Sequence, residues 1–418
     1  MDIKSYVLEK AAKAKSAARV VGKMNAEAKN LALLKMADVL ETSKDNLIQE
    51  NKKDLEAGRQ AGLSTSILDR LELNEPRIRQ MALGLREIAA LPDPVGEILK
   101  VRQRPNGMSV GRMRVPLGVI GFIFESRPNV TADSAALCLK AGNAVILKGG
   151  SEAINSNKAI IALLKEAAES QGFPADAIGF IDTTDRQAVM DLLKLDDYID
   201  VIIPRGGEGL IRAVTENSKI PVLRHYKGVC HVYVDAKANL DMAENICFNA
   251  KTQRPGTCNA MESMLVDQSV AAQFLPKILK RFADAGVTVK GCDKTMKLDA
   301  SVKPVETDDY HKEYLDMVVN CRVVSGIEEA MEHIAEFGSL HTETIVTESY
   351  ANAMRFLREV DASAVMVNVS TRFNDGFEFG LGAEIGISTT KLHARGPMGL
   401  EELTSTKFIV LGQGQIRV

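Results

Sequence analysis

The feature that most restricts this chain is a series of short, continuously apolar segments, each followed by a helical stretch. Val115–Phe124, Ala144–Leu147, Ala177–Ile181 and Tyr198–Ile203 alternate with helical patterns at Ala132–Lys140, from Ala153 onward, and at Thr184–Lys194. A strand with one wet face alternates apolar and polar residues, whereas a strand apolar throughout is covered on both faces. Short connections between such strands and helices build a parallel sheet clad by helices. A second series begins at Val229. Its strands fall at Val229–Val234, Met264–Val266, Val287–Val289, Met317–Val324, Thr344–Thr347 and Ala364–Val369. Its helices fall at Leu240–Asn249, Ala271–Ala285, Ile327–Phe337 and Ala351–Val360. The pattern predicts an α/β protein of two parallel-sheet domains joined near Leu223–Gly228. We take residues 1–226 as the first domain, 227–392 as the second and 393–418 as a closing segment.

Ahead of the first strand, Ile3 to Leu91 reads as helical cladding. Leu31, Leu33, Leu34, Met36 and Leu40 form an apolar stripe, and Ser64 or Thr65 offers a cap after the break at Gly62. Pro92 and Pro94 end this region. Asn106-Gly107 then sits between Ile98–Arg104 and Met108–Arg114, the strongest short signal for a β-hairpin. Arginines on both flanks suit a ribbon that either lies on its own domain or reaches another subunit. A last strand, Thr406–Leu411, follows a polar, Gly-rich stretch at Thr371–Leu400. Its partner is either that ribbon or another subunit.

With 418 residues the chain has ample core, and 45% hydrophobic with 26% charged residues is ordinary for a soluble globular protein. A net charge of -3 gives no general attraction to nucleic acid or anionic lipid. No apolar run reaches the roughly 18 residues that a membrane span needs. The start, Met1-Asp2-Ile3-Lys4, lacks a signal-peptide core. Cysteines at 138, 230, 247, 258, 292 and 321 make no CxxC pair, and the histidines make no HExxH. Reduced thiols in a cytoplasmic protein, without a metal site, are expected.

One of those cysteines stands apart. In Ala250–Ala260, Cys258 follows the turn-forming Pro255-Gly256 between a helix and an apolar strand, so loop backbone presents its thiol. A buried, inert thiol is the alternative. Two loops at carboxyl ends of first-domain strands suit a nucleotide: Lys148-Gly149-Gly150 and Arg205-Gly206-Gly207-Glu208-Gly209. Neither is a GxGxxG or P-loop motif, and each is also readable as a tight βα turn. Lys148 favours a 2′-phosphate and hence NADP, while Glu152 would claim a 2′-hydroxyl. A thiolate facing a nicotinamide cofactor suits thioester chemistry, and the oxyanions formed need amide donors. Asn129 and the Cys258 backbone N–H are candidates, although Asn129 equally suits a helix cap. Arg127, Arg254, Arg372 and Arg395, all at loop positions, suit a carboxylate or phosphate.

Val115–Gly121 on to Asn129, the strand leading to Lys148 and the Cys258 loop resemble, in that order, the aldehyde dehydrogenase superfamily. Phe124–Thr131, Ile203–Gly207, Asn249–Cys258 and Lys391–Leu400 resemble more narrowly its branch that reduces L-glutamyl 5-phosphate. The resemblance spans nearly the whole chain. It implies an aldehyde dehydrogenase-like α/β fold of two Rossmann-like domains, with the hairpin and the C-terminal strand used in oligomerisation. It implies NADPH-dependent reduction of L-glutamyl 5-phosphate to L-glutamate 5-semialdehyde and phosphate, in proline biosynthesis. The roles it implies are nucleophile for Cys258, oxyanion donor for Asn129, adenosine-ribose contact for Lys148 and nicotinamide-ribose contact for Glu313. A homo-oligomer, dimer or larger, and transient contact with glutamate 5-kinase are the partners it implies.

The chain departs from oxidising members in one place. They carry a glutamate in a Glu-Leu-Gly-Gly segment that activates water on the thioester. Here Leu223–Gly228 stands in that place, with Arg224 near the glutamate position. Without that base, an acyl group is passed between phosphate and hydride rather than to water. The competing readings are an oxidising or CoA-acylating enzyme on the same fold, and a non-enzymatic nucleotide binder.

Overall fold

The computed structural model describes residues 2–417, and the chain separates into two compact units. One unit takes the chain up to Arg224, Gly380–Gly386 and the stretch from Met398 onward; the other takes His225–Phe379 and Ile387–Pro397. This differs from a division at 226 and 392, because the tail crosses between the units three times, after Phe379, Gly386 and Pro397. It must return to the first unit, since its last strand pairs there.

In the first unit, Ile3–Val21, Ala26–Thr42, Lys44–Gln60, Thr65–Leu71 and Glu75–Ala90 (α1–α5) are the expected helical lead. Asp2, Asn25, Ser64 and Asn74 each accept an amide hydrogen bond from within the first turn that follows. Next come β1 (Ile98–Gln103), β2 (Ser109–Pro116), β3 (Val119–Phe124), α6 (Pro128–Lys140), β4 (Ala144–Gly149), α7 (Ile154–Ser170), β5 (Ile178–Phe180), α8 (Gln187–Leu192), β6 (Val201–Arg205) and α9 (Glu208–Asn217). The main sheet runs β5-β4-β3-β6, all parallel. Every residue of β3 and β4 is buried, as the apolar runs Val119–Phe124 and Ala144–Leu147 require; Lys148, near the end of β4, is buried with them.

The sequence predicts one strand over Val115–Phe124, and the structure breaks it between Pro116 and Val119. Gly118 makes the break, at φ +126°, a conformation that side-chain-bearing residues avoid. A Cβ there would also lie 2.2 Å from Asp200 Oδ2. That carboxylate accepts the Val119 N–H at 2.8 Å and pairs with Lys15 at 3.0 Å. The half before the break joins a separate antiparallel sheet in which β2 lies between β1 and the last strand, Thr404–Leu411. The ribbon is thus the partner of that strand, in register from Thr404↔Pro116 to Leu411↔Ser109.

The second unit contains β7 (Cys230–Val234), α10 (Leu240–Thr252), β8 (Met261–Asp267), α11 (Gln268–Asp284), β9 (Thr288–Gly291), α12 (Asp293–Met296), β10 (Lys303–Pro304), β11 (Val318–Val324), α13 (Ile327–Phe337), β12 (Thr342–Val346), α14 (Tyr350–Glu359) and β13 (Ala364–Val367). Its sheet runs β10-β9-β11-β8-β7-β12-β13, parallel throughout. Strand alternation sorts the side chains. Val232, Val234, Met264 and Val266 pack with Phe274 and Phe282 of α11, whereas Tyr233 and Leu265 pack with Ile334 and Phe356 of α13 and α14. The sequence gives no sign of β10, two exposed residues including a proline, which only an edge accommodates. A short ribbon, Ile387–Ser388 with Gly396–Pro397 (β14 and β15), closes the unit. No helix among the described residues is long and apolar enough to cross a membrane.

Gly118→Ala should destabilise the first unit by about 2–3 kcal/mol through strain and displacement of Asp200. The check is the midpoint of urea unfolding, which should fall for this variant and not for Gly209→Ala, a helical position with no positive φ where a Cβ meets nothing within 4 Å.

Candidate active site

Cys258 sits in the loop between α10 and β8, and its position is fixed from both sides. Lys251, in the last turn of α10, and Glu262, the second residue of β8, form an ion pair at 2.9 Å with both side chains fully buried. Burial pushes the Glu262 carboxyl up to about 7, against the pull of Lys251. Its other oxygen accepts the Leu315 N–H at 3.3 Å. Within the loop, the Thr257 hydroxyl lies 2.8 Å from the Arg254 carbonyl and 3.0 Å from Asn259 Oδ1. Asn259 Nδ2 donates to the Asn374 carbonyl at 3.0 Å, joining the loop to the turn at Thr371–Phe373. The Cys258 carbonyl accepts the Cys230 thiol at 3.1 Å. It also lies so close to Gly228 that a Cβ on that residue would be 1.8 Å from it. Only glycine fits there.

Around the half-buried thiol the structure assembles residues that are remote in sequence. One ring nitrogen each of His225 and His341 and the Cys258 sulfur lie within 4.8 Å of one another. The two imidazoles meet edge to face, 5.4 Å between centroids. His225 Nδ1 is 2.7 Å from the Ile387 carbonyl oxygen, and His341 Nδ1 is 2.7 Å from the Thr342 hydroxyl. Glu313 Oε1 accepts the Gly228 N–H at 2.9 Å, so the expected ribose ligand also fastens the segment beneath Cys258. His225, Gly228, Cys258, Glu313 and His341 all lie in segments leading into β7, β8, β11 or β12. The site therefore occupies the amino edge of this sheet, not the carboxyl edge that ligands usually prefer.

Three of the four arginines belong to this unit. Arg372 donates from Nε to Gln253 Oε1 at 2.8 Å. Its guanidinium is pushed below the usual arginine value by burial and by the positive charge of Arg254, with Cys258 and Asp375 opposing the shift. Two cations that sense each other beside a thiol are an arrangement that an added anion stabilises. Arg395 differs, for Asp361 holds it at 2.6 Å and Lys391 at 2.5 Å.

In the first unit, the carboxyl ends of β3, β4 and β6 are tied together by acids. Glu125 accepts the Gly207 N–H at 3.0 Å, and Glu152 accepts the Ser126 N–H at 2.6 Å. Gly206 and Gly207 are exposed at the start of α9, where Glu125 already engages one amide. Lys148 is buried, its ammonium 2.8 Å from the Gly149 carbonyl and its pKa lowered by desolvation. Gly149 packs against Asn157, whose Nδ2 would lie 2.1 Å from a Cβ there. Arg127 occupies the cap position of α6. The cap alternative for Asn129 fails. Pro128 starts the helix, since its fixed φ suits a first helical residue. Asn129 therefore lies inside the first turn, exposed, with Nδ2 donating to Asp133 at 3.0 Å.

The pattern described as "Aldehyde dehydrogenase family" matches residues 4–333. Over 417 residues, all of both chains, the sequence is 60% identical to gamma-glutamyl phosphate reductase of Thermodesulfovibrio yellowstonii and 56% identical to that of Desulfatibacillum aliphaticivorans. The chain belongs to the aldehyde dehydrogenase family, among its gamma-glutamyl phosphate reductases. A solved structure agrees: the gamma-glutamyl phosphate reductase of Thermotoga maritima is 46% identical and superposes with a TM-score of 0.97, covering 99% of this chain and 100% of that one.

In this member of the gamma-glutamyl phosphate reductases, sequence reasoning missed His225 and His341. A usable signal existed, because parallel strands begin at one edge and residues just ahead of them gather there. The Glu313 segment rests on Asp309, which takes hydrogen bonds from Lys290 at 2.9 Å, Lys312 at 2.7 Å and the Glu306 N–H at 3.1 Å. Burial alone would raise the Asp309 pKa, yet those donors hold it well below the ordinary carboxylate range. A depressed carboxylate stabilises the fold above its unfolded value and loses that contribution as pH falls through the folded one. Asp309→Asn should thus cost roughly 1–3 kcal/mol at pH 7 and progressively less below pH 4, read from urea midpoints at several pH values.

Proposed function

We propose that this chain reduces L-glutamyl 5-phosphate to L-glutamate 5-semialdehyde and phosphate, using NADPH, as a step of proline biosynthesis. The observation that carries the reading is the Cys258 thiol held on a fixed loop beside two neighbouring guanidinium groups, Arg254 and Arg372. In this scheme the Cys258 sulfur, as thiolate, attacks the acyl carbon. The carbon–oxygen bond to phosphate breaks, and phosphate leaves with the electron pair. Arg254 and Arg372 balance its charge, and Arg127 is a further candidate. Arg395 is the weaker candidate because Asp361 already neutralises it. No acid is needed at the leaving group, since phosphate departs readily as an anion.

The backbone N–H of Cys258 and the Asn129 carboxamide are assigned to the oxyanion that forms on the acyl carbon. NADPH, when bound, supplies hydride to the thioester. The residues suit such a nucleotide: Gly206 and Gly207 are exposed at a helix start, with Glu125 holding the Gly207 N–H, and Lys148 is the penultimate residue of a sheet strand, before Gly149. Glu313 is assigned to the nicotinamide ribose. With Arg224 near the place of the water-activating glutamate, the thioester is spared hydrolysis. Loss of the thiohemiacetal proton then returns the thiolate as the aldehyde departs. The reading places the enzyme in the cytoplasm as a homo-oligomer, in transient contact with glutamate 5-kinase. Exposed Ile98, Val101, Phe408 and Leu411 on the ribbon sheet support self-association.

The test is the reverse reaction, phosphate-dependent reduction of NADP by glutamate semialdehyde. Cys258→Ala should abolish turnover while leaving NADPH binding, followed by fluorescence, nearly unchanged. Substantial residual turnover would sink the covalent scheme, and turnover with CoA replacing phosphate would favour an acylating enzyme. Arg372→Met should raise the KM for phosphate about 10- to 100-fold, the worth of one charged hydrogen-bonding partner, with a smaller effect on the KM for NADP.

A further inference from the structure

We propose that His225, Cys258 and His341 form a binding site for a borderline-soft divalent cation, zinc foremost, whose occupancy reversibly silences the thiol. One sulfur and two imidazole nitrogens within 4.8 Å of one another are donors of the kind zinc takes. Bonds of about 2.0 Å to nitrogen and 2.3 Å to sulfur place tetrahedral donors about 3.3–3.6 Å apart, so side-chain rotation need close the set by only about 1 Å. Three protein donors leave a fourth position for water.

The surrounding hydrogen bonds suit that role. The Ile387 carbonyl can only accept, so His225 Nδ1, 2.7 Å away, carries the proton. In the neutral ring the lone pair is then on Nε2, the arrangement by which a backbone carbonyl orients a metal-ligating histidine. His341 Nδ1 faces the Thr342 hydroxyl, which also accepts from Asn374 Nδ2 at 2.7 Å and can serve either tautomer. The three donors precede β7, β8 and β12, rigid elements of one sheet, so no large rearrangement is required to assemble them.

Binding exchanges the thiol proton for the metal: the S–H bond breaks, a sulfur–zinc bond forms and one proton enters solvent, with no change of oxidation state. A coordinated sulfur cannot attack an acyl carbon. Arg254 and Arg372 place positive charge in the same neighbourhood and oppose a dication, which makes the site weaker than a closed structural zinc site and readily reversed. The binding half stands on geometry alone, whereas the silencing half rests on the proposed reaction.

The experiment titrates the full chain with Co²⁺ as a spectroscopic probe and then displaces it with Zn²⁺. The expected result is a thiolate-to-cobalt charge-transfer band at one equivalent, absent in Cys258→Ser. Affinity should fall at least about tenfold in His225→Gln and in His341→Ala, since even supporting partners of metal ligands are worth that much. X-ray absorption at the zinc edge should give one sulfur and two imidazoles. Circular dichroism checks folding, and half-buried His225 carries the test where His341→Ala fails to fold. An absent cobalt band, a band that survives in Cys258→Ser, or affinity unchanged in His225→Gln overturns the site. Zinc should inhibit the phosphate-dependent reaction and EDTA restore it. Zinc bound at Cys258 without loss of turnover overturns silencing, whereas a zinc-free chain without turnover counts against the proposed reaction and leaves the cobalt result to decide the site.

Discussion

Lys251 and Glu262 meet at 2.9 Å where neither side chain has exposed surface, one on the helix before the Cys258 loop and one on the strand after it. Removing two charges from water is costly, so the pair is a poor source of net stability. Its effect is on geometry. Truncating one partner strands the other charge in the interior at a cost of about 3–5 kcal/mol, which ties the loop's two ends to a single arrangement. Leu315 extends the constraint by donating to Glu262, and Glu313 by holding Gly228. The Cys258 loop is thereby braced at both ends by buried charge, in addition to the hydrogen bonds of its own Thr257 and Asn259.

That bracing explains the division of labour among nearby cations. Lys251 is neutralised by Glu262, and Arg395 by Asp361; both are structural charges. At Arg372, by contrast, burial and the charge of Arg254 push the guanidinium below the usual arginine value beside a thiol. Under the proposed reaction, a site that accepts an anion and then releases it gains from leaving that repulsion in place. On that proposal, full neutralisation by protein carboxylates would remove the attraction for phosphate.

Much of the architecture was legible in the sequence because apolar runs and caps are local signals. β3 and β4 follow directly from Val119–Phe124 and Ala144–Leu147, and Ser64 caps α4 as its position suggests. The break at Gly118 was hidden, since an apolar run does not reveal that its halves pair in different sheets; a distant aspartate, Asp200, decides it. At the site, Cys258 stood out through Pro255-Gly256, and Arg254 through its adjacency. His225 and His341 did not, because their proximity to the thiol is created by strand order and not by spacing. Asn129 was misjudged as a loop residue for want of weight on Pro128 as a helix starter.

The pairing of Thr404–Leu411 with β2 has a consequence for how the molecule is made. Arg114 and Thr404 share a hydrogen bond at 3.2 Å across 290 positions of sequence. On the ribosome, the second unit, interrupted only by Gly380–Gly386, has emerged in full before that strand exists, so it can mature first. The first unit, though begun earlier, waits with the flank of β2 unclaimed until the closing strand is synthesised. Birth order and completion order are therefore reversed between the two halves, and a prematurely terminated chain carries an open β-edge that marks it for triage.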